Sequence, residues 1–443
     1  MLRRLCVTVA LLVANPAWSQ MNPTEAGTNT ADQTQMLTPP PVSGEAYPTE
    51  VVSATRSNYL RSGWTVSTAY SDNVLANVGG PSTGDASYSI WPTIEIDTAT
   101  SRQHWIVNYS PGFTIYQHTS SLNQANENVA LDSQFRLSPH VTASLRDSFQ
   151  KTSNTLNQPT SFSGGAVSGS SQPPVVAIIA PGADQLSNIA HADLTYQFSK
   201  NGMLGASATF TNLHYLNPVQ APGLSDSTSS GESGFYNHRL SRMHYVGAAY
   251  QYLRSLTYPM NVHNELQTQS ALIFYTIYLK PTISFSLSGG PQRFEVVQPP
   301  LATYRSWSSA ETASMGWQQP HATFAASYGR SVTAGGGLSG VFLTNSANAS
   351  ARWNLTRSWN LGPAAAYANN KNVAPSYFLS SQGGHTLSGS VIMRHPLGEH
   401  FTVDFGYTRL HQSYSGIQAI SGAPNTNREF ISIAYQVTRP LGR

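Results

Sequence analysis

The segment NENVALDSQFRLSPHVTASLRDSFQ, residues 126–150, decides the fold of this chain. In its first half, apolar side chains occupy alternate positions and small or polar side chains lie between them. The apolar positions are Val129, Leu131, Phe135 and Leu137. The chain turns at Ser138-Pro139, and the second half repeats the alternation. Because successive side chains of a strand point to opposite faces, the segment predicts a β-hairpin with one apolar and one polar face.

The polar face of this hairpin contains Asp132, Arg136 and Arg146. Unpaired charges cannot lie in a dry interior without a large desolvation cost, so this face must meet water. The apolar face must meet either a second sheet, as in a soluble sandwich, or lipid, as in a transmembrane barrel.

The composition favours the barrel. Charged residues make up only 10% of the 443 residues, against about 25% in ordinary soluble domains. No apolar run reaches the ~18 residues that a membrane-spanning helix needs. The net charge is +3 and there is no basic cluster, so we expect no nucleic-acid partner. The single cysteine, Cys6, excludes a disulfide framework within the chain.

Residues 1–19 predict a secretory signal peptide. Arg3 and Arg4 form a basic start, an apolar stretch follows, and Ala17-Trp18-Ser19 fits a small-x-small cleavage site. We therefore expect the mature chain to begin near Gln20.

Residues 20–57 are rich in Pro, Thr, Gln and Glu without a period, which predicts a flexible periplasmic segment. Within it, Glu50–Arg56 resembles the energy-coupling box of TonB-dependent receptors. In that family a plug domain follows, whereas here a strand pattern begins near Gly63. A chance match in a linker is the favoured alternative.

From Gly63 onward, strands of period two are separated by short turns and long polar loops in alternation. This alternation is typical of outer-membrane barrels, whose periplasmic turns are short and extracellular loops long. We predict an all-β, antiparallel up-and-down transmembrane barrel over residues 58–443, with about eighteen strands and sixteen as the alternative. The stretches 231–240 and 307–318 have the poorest alternation.

Two stretches resemble a known family: the opening strand Trp64–Val74, and the succession from Tyr109-Ser110-Pro111 through Asn126-Glu127-Asn128 to Leu131-Asp132. They are similar to outer-membrane β-barrel porins of the porin-2 type in Gram-negative bacteria. The resemblance implies an outer-membrane location and a pore, and some family members are associated with exopolysaccharide export.

The last strand, Glu429–Thr438, resembles the C-terminal recognition strand that the barrel-assembly machinery reads. It departs from that pattern because the chain ends in Arg439-Pro440-Leu441-Gly442-Arg443 rather than on an aromatic residue.

Polar residues predicted to face inward are the candidate pore lining. They are Glu95, His104, Asp132, Arg136, Arg146, Asp193, Arg352, Arg394 and Asp404. Charges around a water-filled constriction set ion preference, whereas charges that pair across the wall only keep the interior wet. The sequence leaves both alternatives open.

The longest predicted loop, residues 151–187, contains an apolar run that we do not expect to stand unpacked in water. Its members are Val175, Val176, Ile178 and Ile179. We expect this run to narrow the pore or to pack against the rim, a neighbouring subunit or other loops.

No hydrolase, phosphate-binding or metal-site motif occurs, so we expect no enzyme activity, cofactor or metal. His191 and Asp193 share a strand face, but a scattered lumen histidine is the favoured interpretation. The predicted function is passive diffusion of small hydrophilic solutes. The alternatives are an exopolysaccharide conduit, a plugged structural or adhesive barrel, and an outer-membrane hydrolase. Expected partners are outer-membrane lipid, lipopolysaccharide and the assembly machinery, with the protein a monomer or a homotrimer.

Overall fold

The computed structural model describes residues 58–75, 82–152, 184–217, 223–259, 263–280, 282–335, 337–338, 340–375, 383–415 and 425–441. These residues form one 18-stranded antiparallel sheet in which each strand pairs with its neighbours in sequence. The first strand pairs with both the second and the last, so the sheet closes into a barrel. Closure leaves no free sheet edge at the seam, as a lipid environment requires.

The strands are β1 Asn58–Ser71, β2 Asp85–Ala99, β3 Gln103–Tyr116, β4 Gln124–Arg136, β5 Val141–Thr152, β6 Gln185–Gln197, β7 Gly202–Tyr215, β8 Asp226–Arg239, β9 His244–Tyr258, β10 Asn264–Lys280, β11 Ile283–Val297, β12 Tyr304–Gln318, β13 Ala322–Thr333, β14 Phe342–Asn354, β15 Asn360–Asn372, β16 Gly383–Leu397, β17 Phe401–Ser415 and β18 Asn425–Pro440.

The connections alternate in length along the chain. Those after even-numbered strands are tight, such as residues 137–140 between β4 and β5, and they meet at one end of the barrel, the turn end. Those after odd-numbered strands are longer and meet at the opposite end, the loop end. The loop after β3 contains a short 3-10 helix, Ser120–Leu122. Among the described residues, no helix is long and apolar enough to cross a membrane.

The barrel is inverted relative to a soluble protein, because its large apolar side chains point outward. Residues directly paired across an antiparallel ladder share a face, so the ladders extend each face from strand to strand. Outward positions include Ile94, Phe113, Ile273 and Ile433, all of them exposed on the surface of the barrel. The alternate positions face the lumen and are mostly polar or small. This arrangement makes an apolar outer belt around a polar interior.

Four inward aromatic rings lie on glycines of the adjacent strand. Three of these pairs are directly opposite in a ladder: Phe235 with Gly205, Phe274 with Gly247, and Phe430 with Gly406. The fourth is Trp91 of β2 with Gly112 of β3. A Cβ atom at Gly247 would lie 2.2 Å from the Phe274 ring. The missing side chain therefore lets each ring lie against the wall instead of projecting into the lumen.

The observed barrel confirms the predicted fold and the count of eighteen strands. Two strands extend further into the loop end than the sequence predicted, because it placed loops at residues 255–263 and 296–307: β9 continues to Tyr258 and β12 begins at Tyr304. The predicted signal peptide, the periplasmic segment and Glu50–Arg56 lie outside the described residues.

Candidate functional site: the lumen of the barrel

All nine predicted pore-lining residues belong to strands of the barrel and to its inward-facing set. They are distributed over β2 to β6, β14, β16 and β17. The structure groups most of them into pairs and small networks. Their part in conduction stays a prediction.

The first network lies near the turn end of β1, β2 and β3. The Arg61 guanidinium contacts the Glu95 carboxylate, and its second nitrogen lies 3.7 Å from Asp97. His104 Nε2 lies 2.9 Å from the Asp97 carboxylate. The two carboxylates are buried, so the cation and the imidazole offset their desolvation. Arg61 was not among the predicted residues, because its pairing with Glu95 depends on the register of the β1–β2 ladder.

The second network occupies β4, β5 and β6 and is more open to water. Arg146 Nε lies 3.4 Å from Asp132, and the Arg146 side chain is 47% exposed. Asp193 accepts hydrogen bonds from Ser144 Oγ and from His191 Nε2, each 2.9 Å long. These groups line the part of the wall where inward side chains remain accessible to solvent.

The third group lies on β14, β16 and β17. Arg394 donates two hydrogen bonds to Asp404, of 2.8 and 3.1 Å, and the Asp404 side chain is only 1% exposed. Arg352 on β14 is exposed and has no ion pair within the described part of the chain. Because β5 and β14 are half the ring apart, the exposed Arg146 and Arg352 lie on opposite sides of the lumen.

Together the inward residues of β14–β18 and β1–β6 form the charged wall. The remainder, β7–β13, is the apolar wall, on which Arg239 is the only inward Asp, Glu, Lys or Arg among the described residues. Its turn-end half is filled by a buried cluster that includes Phe235, Tyr245, Phe274 and Tyr278. Serine and threonine pairs, such as Ser229 with Ser255 at 2.8 Å, lie nearer the loop end. The lumen therefore has two chemically different sides.

At the loop end, the connection between β13 and β14 folds inward across the lumen. We call residues 334–342 the mouth segment, of which the structure describes all but 336 and 339. Gly337 O accepts a hydrogen bond of 2.8 Å from Ser225 N, next to β8, and Leu338 forms a bridge with Leu224. Leu338 and Phe342, each 0% exposed, pack with Tyr414 of β17. Contacts that reach from β17 to the β7–β8 loop require the segment to cross the opening.

Glycines make this crossing feasible. Gly335 and Gly337 have φ of +77° and +98°, which other residues rarely adopt. A Cβ atom at Gly337 would lie 2.9 Å from Tyr215 Oη. The segment thus depends on glycine both for its backbone conformation and for its close approach to β7.

Sequence reasoning missed the mouth segment. The sequence does contain a feature that distinguishes this connection. The stretch TAGGGLSGVF at 333–342 is glycine-rich and apolar, unlike the polar loops at the same end. The apolar run that was expected to narrow the pore, Val175 to Ile179, lies outside the described residues.

A hydroxyl, an imidazole and a carboxylate also meet on β6 and β7. His191 Nδ1 lies 2.9 Å from Thr209 Oγ1, and its Nε2 faces Asp193. Thr209 is buried in the wall, so its hydroxyl is inaccessible to a substrate in the lumen. Among the described residues, no group of three or more His, Cys, Asp or Glu side chains could hold a metal ion.

The outer surface identifies the environment. Bulky apolar residues encircle a closed sheet, charges line its interior, and all described long connections lie at one end. The protein is an outer-membrane β-barrel. The turn end is therefore periplasmic and the loop end extracellular.

Comparisons with known proteins gave structural likenesses only; no family model and no curated protein sequence matches the chain. OccAB4 of Acinetobacter baumannii is 10% identical, with a TM-score of 0.39 over 87% of this chain and 99% of that one. OccK2 (OpdF) of Pseudomonas aeruginosa, solved in complex with glucuronate, is 7% identical, with a TM-score of 0.43 over 86% and 98% of the two chains. The FrpB iron transporter of Neisseria meningitidis is 9% identical, with a TM-score of 0.40 over 86% and 82%.

Proposed function

We propose that this outer-membrane barrel is a passive pore for small hydrophilic solutes, with a water path along the charged wall and a constriction at the mouth segment. One observation carries the proposal: inward residues of β4–β6 and of β14, on opposite sides of the ring, remain accessible to solvent. Most inward residues of β8–β11 are buried.

The composition of this path supports ions and polar solutes. Asp132, Arg146 and Asp193 are only partly shielded, and Arg352 faces them from the opposite wall. Charges of both signs around a narrow aqueous space produce a field across it, which orders water and favours polar solutes over apolar ones. The mixed signs favour a pore of weak ion selectivity.

The mouth segment sets the size limit in this proposal. Leu338 and Phe342 are its anchors, because both are fully buried against β17 and the β7–β8 loop. Weakening the anchors should widen the entrance without altering the barrel wall, since Leu338 is in no strand ladder and Phe342 is at the end of one.

Single-channel recording in a planar bilayer tests the proposal. We expect the wild-type protein to form channels, and Leu338→Ala combined with Phe342→Ala to increase conductance. Leu387→Ala, at an exposed outward position of β16, is the matched control and should leave conductance unchanged. Absence of channels in the wild-type protein would contradict the pore. An unchanged conductance in the double variant would contradict the constriction.

The other sequence expectations remain predictions. They include the exopolysaccharide conduit, the plugged or hydrolytic barrel, lipopolysaccharide and assembly-machinery contacts, and the homotrimer. No contact in the described residues favours one of them over the passive pore.

A further inference from the structure

Three of the tight turns at the periplasmic end repeat one short sequence. They are FSK at 198–200, LSR at 240–242 and LTR at 355–357. Each turn begins directly after an even-numbered strand, with an apolar residue, a hydroxyl residue and a cation in the same order. We call them the basic turns. They join β6 to β7, β8 to β9 and β14 to β15, so they lie on both sides of the ring.

The hydroxyl residue gives the basic turns a common geometry. Its side-chain oxygen accepts a hydrogen bond from the backbone N–H two positions later, of 3.3 Å at Ser199, 3.2 Å at Ser241 and 3.3 Å at Thr356. Side-chain hydrogen bonds of this kind close a tight turn, and the residue between the two partners lies at its tip. In all three turns that residue is the cation. The tip cations are Lys200, Arg242 and Arg357.

The side chains of the tip cations are exposed and have no partner in the described part of the chain. None of the three forms an ion pair or a side-chain hydrogen bond with another described residue. The apolar residue two positions earlier is exposed too, by 45% at Phe198, 61% at Leu240 and 45% at Leu355. Each basic turn therefore presents an exposed apolar side chain followed by an exposed cation, which fits the boundary between acyl chains and head groups.

Aromatic rings place the basic turns at the level of the lipid head groups. The Phe198 ring stacks on Tyr236, with the two centroids 6.3 Å apart. At the third turn, Trp353 is exposed on the outer surface, and Trp359 stacks on His395 with centroids 4.4 Å apart. Tryptophan and tyrosine favour the interface between hydrocarbon and water. The tips lie beside these rings at the end of the barrel, and therefore among the head groups.

The periplasmic end as a whole carries an excess of positive charge. Among the described tight turns and the strand ends that flank them, the exposed lysine and arginine residues are Arg102, Lys200, Arg242, Lys280, Arg357 and Arg439. Glu399 is the only exposed carboxylate in the same set. At the loop end, exposed cations occur in ion pairs with carboxylates, such as Arg254 with Glu265 and Arg305 with Glu295. Unpaired cations near a membrane surface attract anionic lipids.

The position of these cations around the ring indicates which partner they meet. They lie at the periplasmic ends of β2, β6, β8, β10, β14 and β18. They therefore surround the barrel instead of forming a patch on one side. A protein docked beside the barrel would reach only part of this circumference, whereas membrane lipid meets all of it.

We propose that the basic turns bind an anionic phospholipid of the periplasmic leaflet. The tip cation contacts the phosphate of the head group, and the apolar residue before it lies beside the acyl chains, which holds the turn at the interface. The contact is thus electrostatic at the head group and hydrophobic at the base of the turn. This inference does not depend on conduction through the lumen, so each can fail without the other.

Native mass spectrometry of the purified protein in detergent tests the proposal. The protein is titrated with dioleoylphosphatidylglycerol or with dioleoylphosphatidylcholine, which differ in head-group charge but have the same acyl chains. We expect tighter binding of phosphatidylglycerol, and a loss of this preference as the ionic strength rises. Replacing the three tip cations should reduce the affinity for phosphatidylglycerol about fivefold at each turn. This variant is the combination of Lys200→Gln, Arg242→Gln and Arg357→Gln.

A second triple variant removes the same charge at the opposite end of the barrel. It combines Arg293→Gln, Lys371→Gln and Arg409→Gln, at exposed positions of β11, β15 and β17 near the loop end. This control should keep the preference for phosphatidylglycerol. A third variant exchanges lysine for arginine and arginine for lysine at the three tips, and it should keep the preference as well. A heat-modifiability gel shift verifies that every variant folds, and the wild-type titration decides alone if one does not.

Three results would overturn the proposal. The first is equal affinity of the wild-type protein for the two lipids. The second is an equal loss of preference in the basic-turn variant and the loop-end control, because the net charge and not the turns would then attract the lipid. The third concerns residues 20–57, which precede β1 and contain four carboxylates and one arginine. If the preference appeared only after their removal, this segment would occupy the basic turns in place of lipid.

Discussion

The charged wall and the apolar wall of the lumen differ in the side chains that cover the inner face of the sheet. Both must cover the inner face of a sheet whose outer face is committed to lipid. The charged wall does so with ion pairs such as Arg394–Asp404, and it leaves parts of β4–β6 and β14 open to water. The apolar wall does so with aromatic rings seated on glycines and with hydroxyl pairs, and it is largely closed. Water and solutes in the lumen would therefore meet mainly the charged wall.

The largest expected effect lies in the buried ion pair of the charged wall. Arg394→Met leaves the Asp404 carboxylate buried without a cation, which should lower the free energy of unfolding by on the order of 3 kcal/mol. Urea titration of the refolded barrel in vesicles measures the loss. Arg352→Met is the control, because this exposed arginine has no described ion pair, and it should change stability little. Adding Asp404→Asn to Arg394→Met should recover part of the loss, whereas equal costs for both arginine variants would contradict the pairing argument.

A second prediction concerns the assignment of inner and outer faces, on which both walls depend. Val107→Arg places a charge among outward apolar neighbours and should cost about 2–4 kcal/mol if the residue lies near the bilayer midplane. Ala130→Arg, one strand away but inward and exposed, should cost much less. Urea titration measures the loss of unfolding free energy for both variants. Equal losses at the two positions would contradict the assignment of inner and outer faces.

A smaller effect should follow from crowding the apolar wall. Gly247→Ala places a Cβ atom 2.2 Å from both the Phe274 ring and Tyr236 O, and overpacking of this kind costs about 1–3 kcal/mol. Gly234→Ala on the neighbouring strand is the matched control, because its nearest contact would be 3.9 Å away. If neither substitution changed the free energy of unfolding in the titration, the packing of aromatic rings on glycines would not stabilise the apolar wall.

The sequence predicted the elements of this barrel better than their assembly. Alternation at positions such as Val129 and Leu131 depends on residues close in the chain, so the strands, their faces and the nine inward polar residues were readable. The partner of Glu95 was not, because Arg61 reaches it only across the ladder between the first two strands. The glycine–aromatic pairs require the register of each ladder, which a single strand does not contain.

One of the two stretches with the poorest alternation overlaps the least regular part of the wall, whereas the other, residues 231–240, lies almost entirely in the regularly paired β8. Residues 307–318 alternated poorly, and they form most of β12, the strand that loses its β13 partner above Glu311. Residues 311–318 pair regularly with β13, so the missing partner accounts at most for the poor alternation of residues 307–310. The mouth segment could not be predicted from the sequence, because its apolar residues are buried by strands that are distant in sequence.

Cysteine accessibility tests the difference between the walls most directly. The chain's only cysteine, Cys6, lies in the predicted signal peptide, so single cysteines can be placed in an otherwise cysteine-free barrel. Ser148→Cys and Asn348→Cys face the lumen on β5 and β14, whereas Ser270→Cys and Ser286→Cys are inward but buried on β10 and β11. We predict that a charged methanethiosulfonate reagent modifies the first pair and reduces single-channel current, and that it spares the second pair. Equal modification of all four cysteines, or of the β10 and β11 pair alone, would contradict a water path along the charged wall.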